Sequence, residues 1–209
     1  MNSEKMKIAV VTGEHGFEEA EFDAVFGSMD GIEFVREDLS EFVQDPNRSQ
    51  YEAVVFYNFH RQNPDPETAE AILGLADKGQ GLVILHHAIL AFPKWKEFSR
   101  ICGIDDRSFG FHMDQSVHVH VADSSHPITA GIADWDMTDE TYTMKDAGED
   151  SHVLLTVDHP KSMKAIGWVR MYRNSRVFCF ESGHDSKTYS VQQFRDVLAR
   201  GIRWVAGRS

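Results

Sequence analysis

Side chains suited to acid–base or metal chemistry fall in four short clusters, each directly after an apolar stretch. The clusters are Gly13-Glu14-His15, Asn58-Phe59-His60, His86-His87 and Gly183-His184-Asp185. Imidazole titrates near neutral pH and is the commonest metal ligand. If the apolar stretches are neighbouring parallel strands, their carboxyl ends bring all four clusters to one rim, where such sheets bind ligands. Taken singly, each cluster can also be read as an ordinary solvated loop.

A fifth group, Asp139-Glu140-x-Tyr142, lies in a strand-like segment. Alternation along a strand puts Glu140 and Tyr142 on one face and Asp139 on the other. A carboxylate and a phenol that face a pocket could bind sugar hydroxyls or act as a base. The alternative is an edge-strand charge beside an ordinary aromatic residue. Similarly, Asp185 either supports the imidazole of His184 or only caps a turn.

The segment His118-x-His120 offers two metal ligands on one strand face. A third ligand would have to come from elsewhere, because the chain has no HExxH motif and no cysteine-based zinc framework. Surface histidines are therefore the favoured interpretation. The chain also lacks a dinucleotide-binding fingerprint and a P-loop, so no nucleotide cofactor is expected.

The elements that must position these groups follow from hydrophobic patterning. The continuous apolar run Leu82–Leu85 is typical of a central strand buried on both faces. In the first hundred residues strands alternate with helices, for example the helix with N-cap Asp65, Pro66 at its first position and Gly79 at its end. This alternation predicts a parallel sheet covered on both faces.

The second half of the chain is rich in strands, which predicts antiparallel additions to the sheet. Strands are predicted at Val117–Val121, Asp139–Tyr142, Val153–Val157, Lys164–Met171 and Arg176–Phe180. A last helix is predicted to begin at the capping box Ser190-x-x-Gln193. Since no linker, repeat or low-complexity segment interrupts the pattern, residues 1–209 are expected to form one domain.

The composition limits which classes of binding partner and which cellular location are expected. The chain has 209 residues, 42% of them hydrophobic, and a net charge of -12, which argues against nucleic acid and anionic membranes as partners. The two cysteines form no CxxC motif, and no signal-peptide or membrane-spanning stretch is evident, so a cytoplasmic location is expected. Four tryptophans and fourteen phenylalanines permit a homo-oligomer without requiring one.

The motifs and their order resemble the ThuA-like family, named for trehalose utilisation. The resemblance covers nearly the whole chain and is carried by seven segments: Val10-Val11-Thr12-Gly13-Glu14-His15, Val55-Phe56-Tyr57-Asn58-Phe59-His60, Gly81-Leu82-Val83-Ile84-Leu85-His86-His87, His126-Pro127-Ile128-Thr129-x-Gly131-Ile132, Asp139-Glu140-x-Tyr142, Arg176-Val177-Phe178 with Gly183-His184-Asp185, and Gly201-Ile202-x-Trp204. It implies a three-layer α/β fold of the flavodoxin-like, class I glutamine amidotransferase-like type, with a mostly parallel central sheet and antiparallel strands added in the second half.

The resemblance also bears on chemistry. Amidotransferases of this type carry a cysteine at the turn after a central strand, where this chain has His86, so glutaminase activity is not expected. The family's link to sugar catabolism suggests a carbohydrate ligand, such as an oxidised (keto) disaccharide or glycoside. We expect an enzyme that uses acid–base or metal-assisted chemistry, with zinc as one candidate metal. The predicted catalytic residues are His86, His184, Glu140 and His15, and the predicted substrate-binding residues are Tyr142, Asp185, Asn58, His60 and His87. The alternative is a sugar-binding or assembly module without catalysis.

Overall fold

The computed structural model describes residues 5–208, which form one nine-stranded sheet with helices on both faces. The strand order is β2-β1-β3-β4-β9-β8-β7-β5-β6. The strands are β1 Met6–Gly13, β2 Ile32–Asp38, β3 Ala53–Asn58, β4 Gly81–Leu85, β5 Gly110–Val121, β6 Trp135–Thr143, β7 His152–Val157, β8 Ala165–Tyr172 and β9 Ser175–Phe180.

Six α-helices make the outer layers: α1 Glu19–Gly27, α2 Leu39–Gln44, α3 Pro66–Lys78, α4 Lys96–Cys102, α5 Ser186–Tyr189 and α6 Gln192–Val205. Helices α1 and α6 contribute to the apolar core on one face of the sheet, and α2, α3 and α4 contribute to the core on the other. The predicted fold class is thus confirmed as a three-layer α/β arrangement. Among residues 5–208 no helix is both long and apolar enough to cross a membrane.

The parallel half of the sheet brings together the strands that precede the four polar clusters. Strands β1, β3, β4 and β9 are consecutive parallel neighbours, as the alternation of strands and helices predicts. Every residue of β4 is buried, in agreement with its unbroken apolar sequence. The carboxyl ends of these four strands therefore share one edge of the sheet.

The antiparallel half curls back over that edge. Strand β6 is last in the strand order, yet its backbone at Tyr142 donates a hydrogen bond to Glu181 Oε1 at 2.9 Å, just after β9. The Gly183 backbone N–H likewise donates to Asp139 Oδ2 at 2.8 Å. Because β8, β7 and β5 stand between β9 and β6 in the sheet, these contacts require strong curvature. The curl brings Glu140 to the histidines.

The predicted start of the last helix is wrong, and the second strand, which the apolar pattern predicts over Ile32–Leu39, ends at Asp38. Helices α2 and α5 were not predicted. The capping box at Ser190 does not form: Ser190 ends the short helix α5 and its hydroxyl donates to the Lys187 carbonyl. Helix α6 begins at Gln192 without a side-chain cap. After β2, residues from Leu39 onward form the helix α2, capped by Asp38. By contrast, α3 has the predicted Asp65 cap.

Candidate functional site

His86 occupies a sharp turn at the end of the central strand β4. Its φ angle is +52°, in the left-handed region that non-glycine residues seldom adopt. The turn opens a 3₁₀ helix, His86–Leu90, and leaves the imidazole fully buried. Strained backbone of this kind persists where surrounding structure fixes it, and it concentrates at functional sites.

The hydrogen bonds of His86 determine which ring nitrogen is available. Nδ1 lies 2.7 Å from the carbonyl oxygen of Glu181. Because a carbonyl can only accept, Nδ1 carries the proton, and the neutral ring keeps its lone pair on Nε2. A backbone carbonyl in this position is also the usual orienting partner of a metal-binding histidine.

His86 Nε2 and two other possible metal-ligand atoms form a nearly equilateral triangle. His86 Nε2 lies 3.2 Å from His184 Nδ1 and 3.2 Å from Glu140 Oε2. The third side, from His184 Nδ1 to Glu140 Oε2, is 3.3 Å. Ligands about 2.0–2.1 Å from a tetrahedral zinc ion are separated by about 3.3–3.4 Å. Two imidazoles and one carboxylate with this spacing therefore fit a divalent transition metal.

Without a metal, two of these groups, His184 and Glu140, form an ion pair. The hydrogen bond to Glu140 raises the pKa of His184 above its ordinary value. Burial alone would raise the pKa of Glu140, but hydrogen bonds from His184 and Tyr142, together with the nearby His86 ring, hold that pKa well below its usual range. Glu140 is therefore an anion, which suits either a protonated His184 or a bound cation.

Tyr142 contacts the same Glu140 oxygen as the two imidazoles. Its hydroxyl donates to Glu140 Oε2 at 2.8 Å and lies 2.9 Å from His86 Nε2. Burial and the nearby Glu140 charge raise the pKa of Tyr142 well above its usual value, so the phenol stays protonated. The predicted pairing of Glu140 and Tyr142 on one strand face agrees with this contact.

Two buried acids that the sequence analysis did not assign to the site hold its parts together. Asp139 accepts the backbone N–H groups of Gly183 and His184 at 2.8 and 3.0 Å. Glu181 accepts the Tyr142 backbone N–H, and its own carbonyl accepts from His86. Burial raises the pKa of both carboxyl groups. The available sequence signal was an acid immediately after the fully apolar end of β9.

A cavity of about 400 Å³ opens beside the triangle, within the usual range for small-molecule sites. Its lining is His15, Phe59, Arg61, His87, Leu90, Phe109, Phe111, Glu140 and Tyr142. A larger depression of about 830 Å³ lies elsewhere, around Gly103 and Arg170, and contains no histidine. The smaller cavity is the candidate site because it is lined by Glu140, one of the three donors, and by Tyr142, which contacts His86.

His15 and His87 form one wall of this cavity as stacked imidazoles, with ring centroids 4.4 Å apart. His87 Nε2 donates to the Tyr57 carbonyl at 3.0 Å, which leaves Nδ1 as an acceptor. Among the described residues no group pairs with Nδ1 of either ring. Burial lowers the pKa of His15 and, more strongly, that of His87. Both rings are therefore neutral hydrogen-bonding groups.

The remaining predicted site residues lie outside the cavity lining. Asn58 Nδ2 is 3.2 Å from His60 Nδ1, and the His60 ring stacks on Phe92. Asp185 caps α5 and pairs with Lys187. A substrate-binding role for Asn58, His60 and Asp185 stays a prediction. Of the nine predicted residues, the structure brings His15, His86, His87, Glu140, Tyr142 and His184 together.

Comparison with known proteins identifies the family. The sequence profile of ThuA, described as trehalose utilisation, matches residues 7–205. The chain belongs to the ThuA family. Among curated protein sequences none matches this ThuA protein.

Solved structures share the fold of this ThuA protein. A protein described as ThuA-like from Parabacteroides merdae ATCC 43184 superimposes with a TM-score of 0.77 and 24% identity, over 97% of this chain and 90% of that one. Cytoplasmic Protein STM3548 from Salmonella typhimurium gives a TM-score of 0.69 and 11% identity, over 94% and 98%.

The amidotransferase-like fold of this ThuA protein has a structural neighbour in PurLQS from Thermotoga maritima. The TM-score is 0.61 at 12% identity, over 96% of this chain and 99% of that one. At the turn after the central strand this ThuA chain has His86. Its two cysteines are buried elsewhere and lie near each other. Cys179 Sγ is 3.8 Å from the Cys102 carbonyl oxygen.

Proposed function

We propose that this ThuA protein is an enzyme of carbohydrate catabolism that acts on an oxidised (keto) derivative of a disaccharide or glycoside. His86, Glu140 and His184 would hold a divalent metal ion such as zinc at its centre. The observation that carries the proposal is the triangle of donor atoms, with sides of 3.2–3.3 Å, at the edge of the cavity.

The burial of these groups favours chemistry over simple binding. Burying a carboxylate and two imidazoles is costly unless they are paired or ligate a metal. The strongly lowered pKa of Glu140 and the raised pKa of His184, next to a cavity, are typical of active sites. A site that only binds a neutral sugar would not need such buried charged groups, because uncharged hydroxyl and amide groups would be enough.

The chain's own residues define the roles around that centre. A bound divalent metal would polarise a carbonyl group and lower the pKa of water. Glu140, anchored by the Tyr142 hydroxyl, would supply the negative ligand. The neutral rings of His15 and His87 would accept hydrogen bonds from substrate hydroxyl groups, because His87 Nδ1 has no partner among the described residues.

The aromatic part of the cavity lining suits a sugar ring. Phe59 and Phe109 line the cavity, and the Arg61 guanidinium lies 4.9 and 5.3 Å from their ring centroids. Aromatic faces stack on the apolar faces of sugars, whereas the guanidinium donates to oxygen atoms. Arg61 is held by one bond to the Leu90 carbonyl, at 2.7 Å, and keeps further donors for a ligand. The family description, trehalose utilisation, supports the same ligand class.

The experiment combines metal analysis with turnover. Protein purified without a histidine tag is analysed for metals and assayed on oxidised disaccharides before and after treatment with a chelator. We expect turnover that the chelator abolishes and zinc or a related ion restores, and Glu140→Gln to lose both metal and activity. The matched control is Glu149→Gln, an exposed acid outside the site.

Two outcomes would contradict the proposal. Full activity of metal-free protein would show that the reaction needs no metal ion. Saturable sugar binding without turnover, insensitive to chelator, would indicate the non-catalytic binding module instead.

Glutaminase activity is not proposed, because neither cysteine lies at the turn occupied by His86. We further propose a cytoplasmic location, since the neighbour from Salmonella typhimurium is described as a cytoplasmic protein.

A further inference from the structure

A second group of metal-ligand side chains lies on the exposed face of the β5–β6 pair. His118 and His120 are two residues apart on β5, so they share one face, and their ring centroids are 4.6 Å apart. Asp136 on β6 is the cross-strand partner of His118, and Asp134 immediately precedes β6. None of these residues belongs to the cavity or to the triangle around His86.

Neighbouring groups orient the donor atoms of this second group. The Nδ1 atom of His118 lies 2.7 Å from Asp136 Oδ1. With its proton in that bond, the neutral ring has its lone pair on Nε2, which is 4.0 Å from Asp134 Oδ2. A carboxylate that orients a histidine from behind is a common outer partner in metal sites.

Asp134 is oriented in the same way. Its Oδ1 atom accepts the Val121 backbone N–H at 2.8 Å. Its Oδ2 atom is therefore directed at the histidines, 3.1 Å from His120 Nδ1. Asp134 Oδ2 is thus close to both imidazoles, which are adjacent because His118 and His120 are two residues apart on one strand.

A comparison within the chain separates this arrangement from an ordinary surface pair. His152 Nε2 lies 3.0 Å from Asp123 Oδ2, and its side chain is 56% exposed, against 50% for His118. Although the His126 ring lies 5.7 Å from that of His152, its ring nitrogens do not join this pair in a possible ligand group. The group around Asp134 supplies a second imidazole to the same oxygen, which is the additional feature that a metal site requires.

We propose that His118, His120 and Asp134 bind a divalent transition metal ion, zinc or copper(II), with Asp136 orienting His118. Imidazole and carboxylate ligands suit both ions, and copper(II) is expected to bind more tightly than zinc in such a site. Because the three ligands are exposed, water would complete the coordination. The inference does not rest on the proposed function, since the two sites share no residue.

The test uses the full chain without a tag, in a Glu140→Gln background that removes the central site. Zinc and copper(II) binding are measured by calorimetry after chelator treatment and dialysis. We expect one bound ion per chain. His118→Ala and His120→Ala should each weaken binding at least tenfold, and Asp136→Asn about tenfold, in line with the loss of an outer partner. The matched control, His152→Ala, should leave the affinity unchanged.

Spectroscopy adds a readout that non-specific binding would not give. Copper(II) at this site should show electron paramagnetic resonance couplings to two imidazole nitrogens, reduced to one in His118→Ala. Equal affinities in all four variants, or an equal loss in His152→Ala, would overturn the proposal. Failure of the central site would be seen separately, as an unchanged metal content when Glu140→Gln is introduced into the wild-type chain.

Discussion

The Asp139 carboxylate accepts the Gly183 backbone N–H at 2.8 Å, although the two residues are 44 positions apart in the chain. Gly183 has a φ angle of +125°, which glycine adopts far more readily than other residues. The same carboxylate accepts the N–H of His184. One buried acid on β6 therefore fixes the backbone that presents His184 to Glu140.

Asp139→Asn tests this anchoring. The amide NH2 group would face one of the two backbone donors while the amide oxygen could accept only from the other, so we expect the loop after β9 to shift and His184 to leave the triangle. The expected results are about tenfold weaker metal binding and a loss of about 1–3 kcal/mol in the free energy of unfolding. Metal titration and denaturant unfolding measure both. Asp185→Asn is the control and should affect metal affinity little; an unaltered metal affinity in Asp139→Asn would refute the anchoring role.

Tyr142→Phe tests the hydroxyl that holds Glu140. Removing it leaves the carboxylate without its 2.8 Å donor, so we expect the rate of turnover to fall about tenfold or more. The folded state should lose only about 1 kcal/mol. The comparison variant is Tyr189→Phe, which removes another buried hydroxyl, one paired with Tyr57. Equal activity losses in both variants would mean that the Tyr142 effect is general destabilisation.

Local sequence patterns were sufficient for the parallel half of the fold. The unbroken apolar run of β4 and the Asp65-Pro66 start of α3 depend on neighbours in sequence, and both predictions are confirmed. The convergence of His86 and His184 also followed, because β4 and β9 are adjacent parallel strands.

The parts of the fold and site that were not predicted depend mainly on contacts between residues distant in sequence. The curl that carries β6 to the end of β9 has no local pattern, so Asp139 was assigned to the face opposite Glu140 without a partner. Helix α2 was missed although Asp38 and Glu41 form a capping box, because the apolar pattern of β2 continues into Leu39. At Ser190 the capping sequence is present, but its hydroxyl closes the preceding helix α5.

The pH dependence of stability can be tested at the Tyr172–Glu97 hydrogen bond, which joins β8 to α4 at 2.5 Å. This bond lowers the pKa of Glu97, with a smaller contribution from Arg100. A carboxyl whose pKa is lower in the folded state stabilises the fold above its unfolded pKa, near 4.5, and loses that contribution as the pH falls through the lowered folded value. Tyr172→Phe should therefore cost about 1 kcal/mol at pH 7 and progressively less below about pH 4.

A double-mutant cycle isolates that bond. In a Glu97→Gln background the pH-dependent part of the Tyr172→Phe effect should disappear, as measured by urea unfolding at pH 7 and pH 3.5. If the cost of Tyr172→Phe is the same at both pH values in the wild-type background, the carboxylate is not the partner that matters.

Two helical glycines give opposite predictions for the same substitution. A Cβ atom at Gly201 on α6 would lie 2.3 Å from the Phe178 ring of β9, whereas one at Gly74 on α3 would meet nothing within 4 Å. Gly74→Ala should stabilise the protein by about 0.5–1 kcal/mol, because alanine loses less conformational freedom in a helix. Gly201→Ala should instead destabilise it by about 1–3 kcal/mol, because α6 must move away from the sheet. Thermal unfolding distinguishes them, and a stabilised Gly201→Ala variant would show that α6 does not pack closely on Phe178.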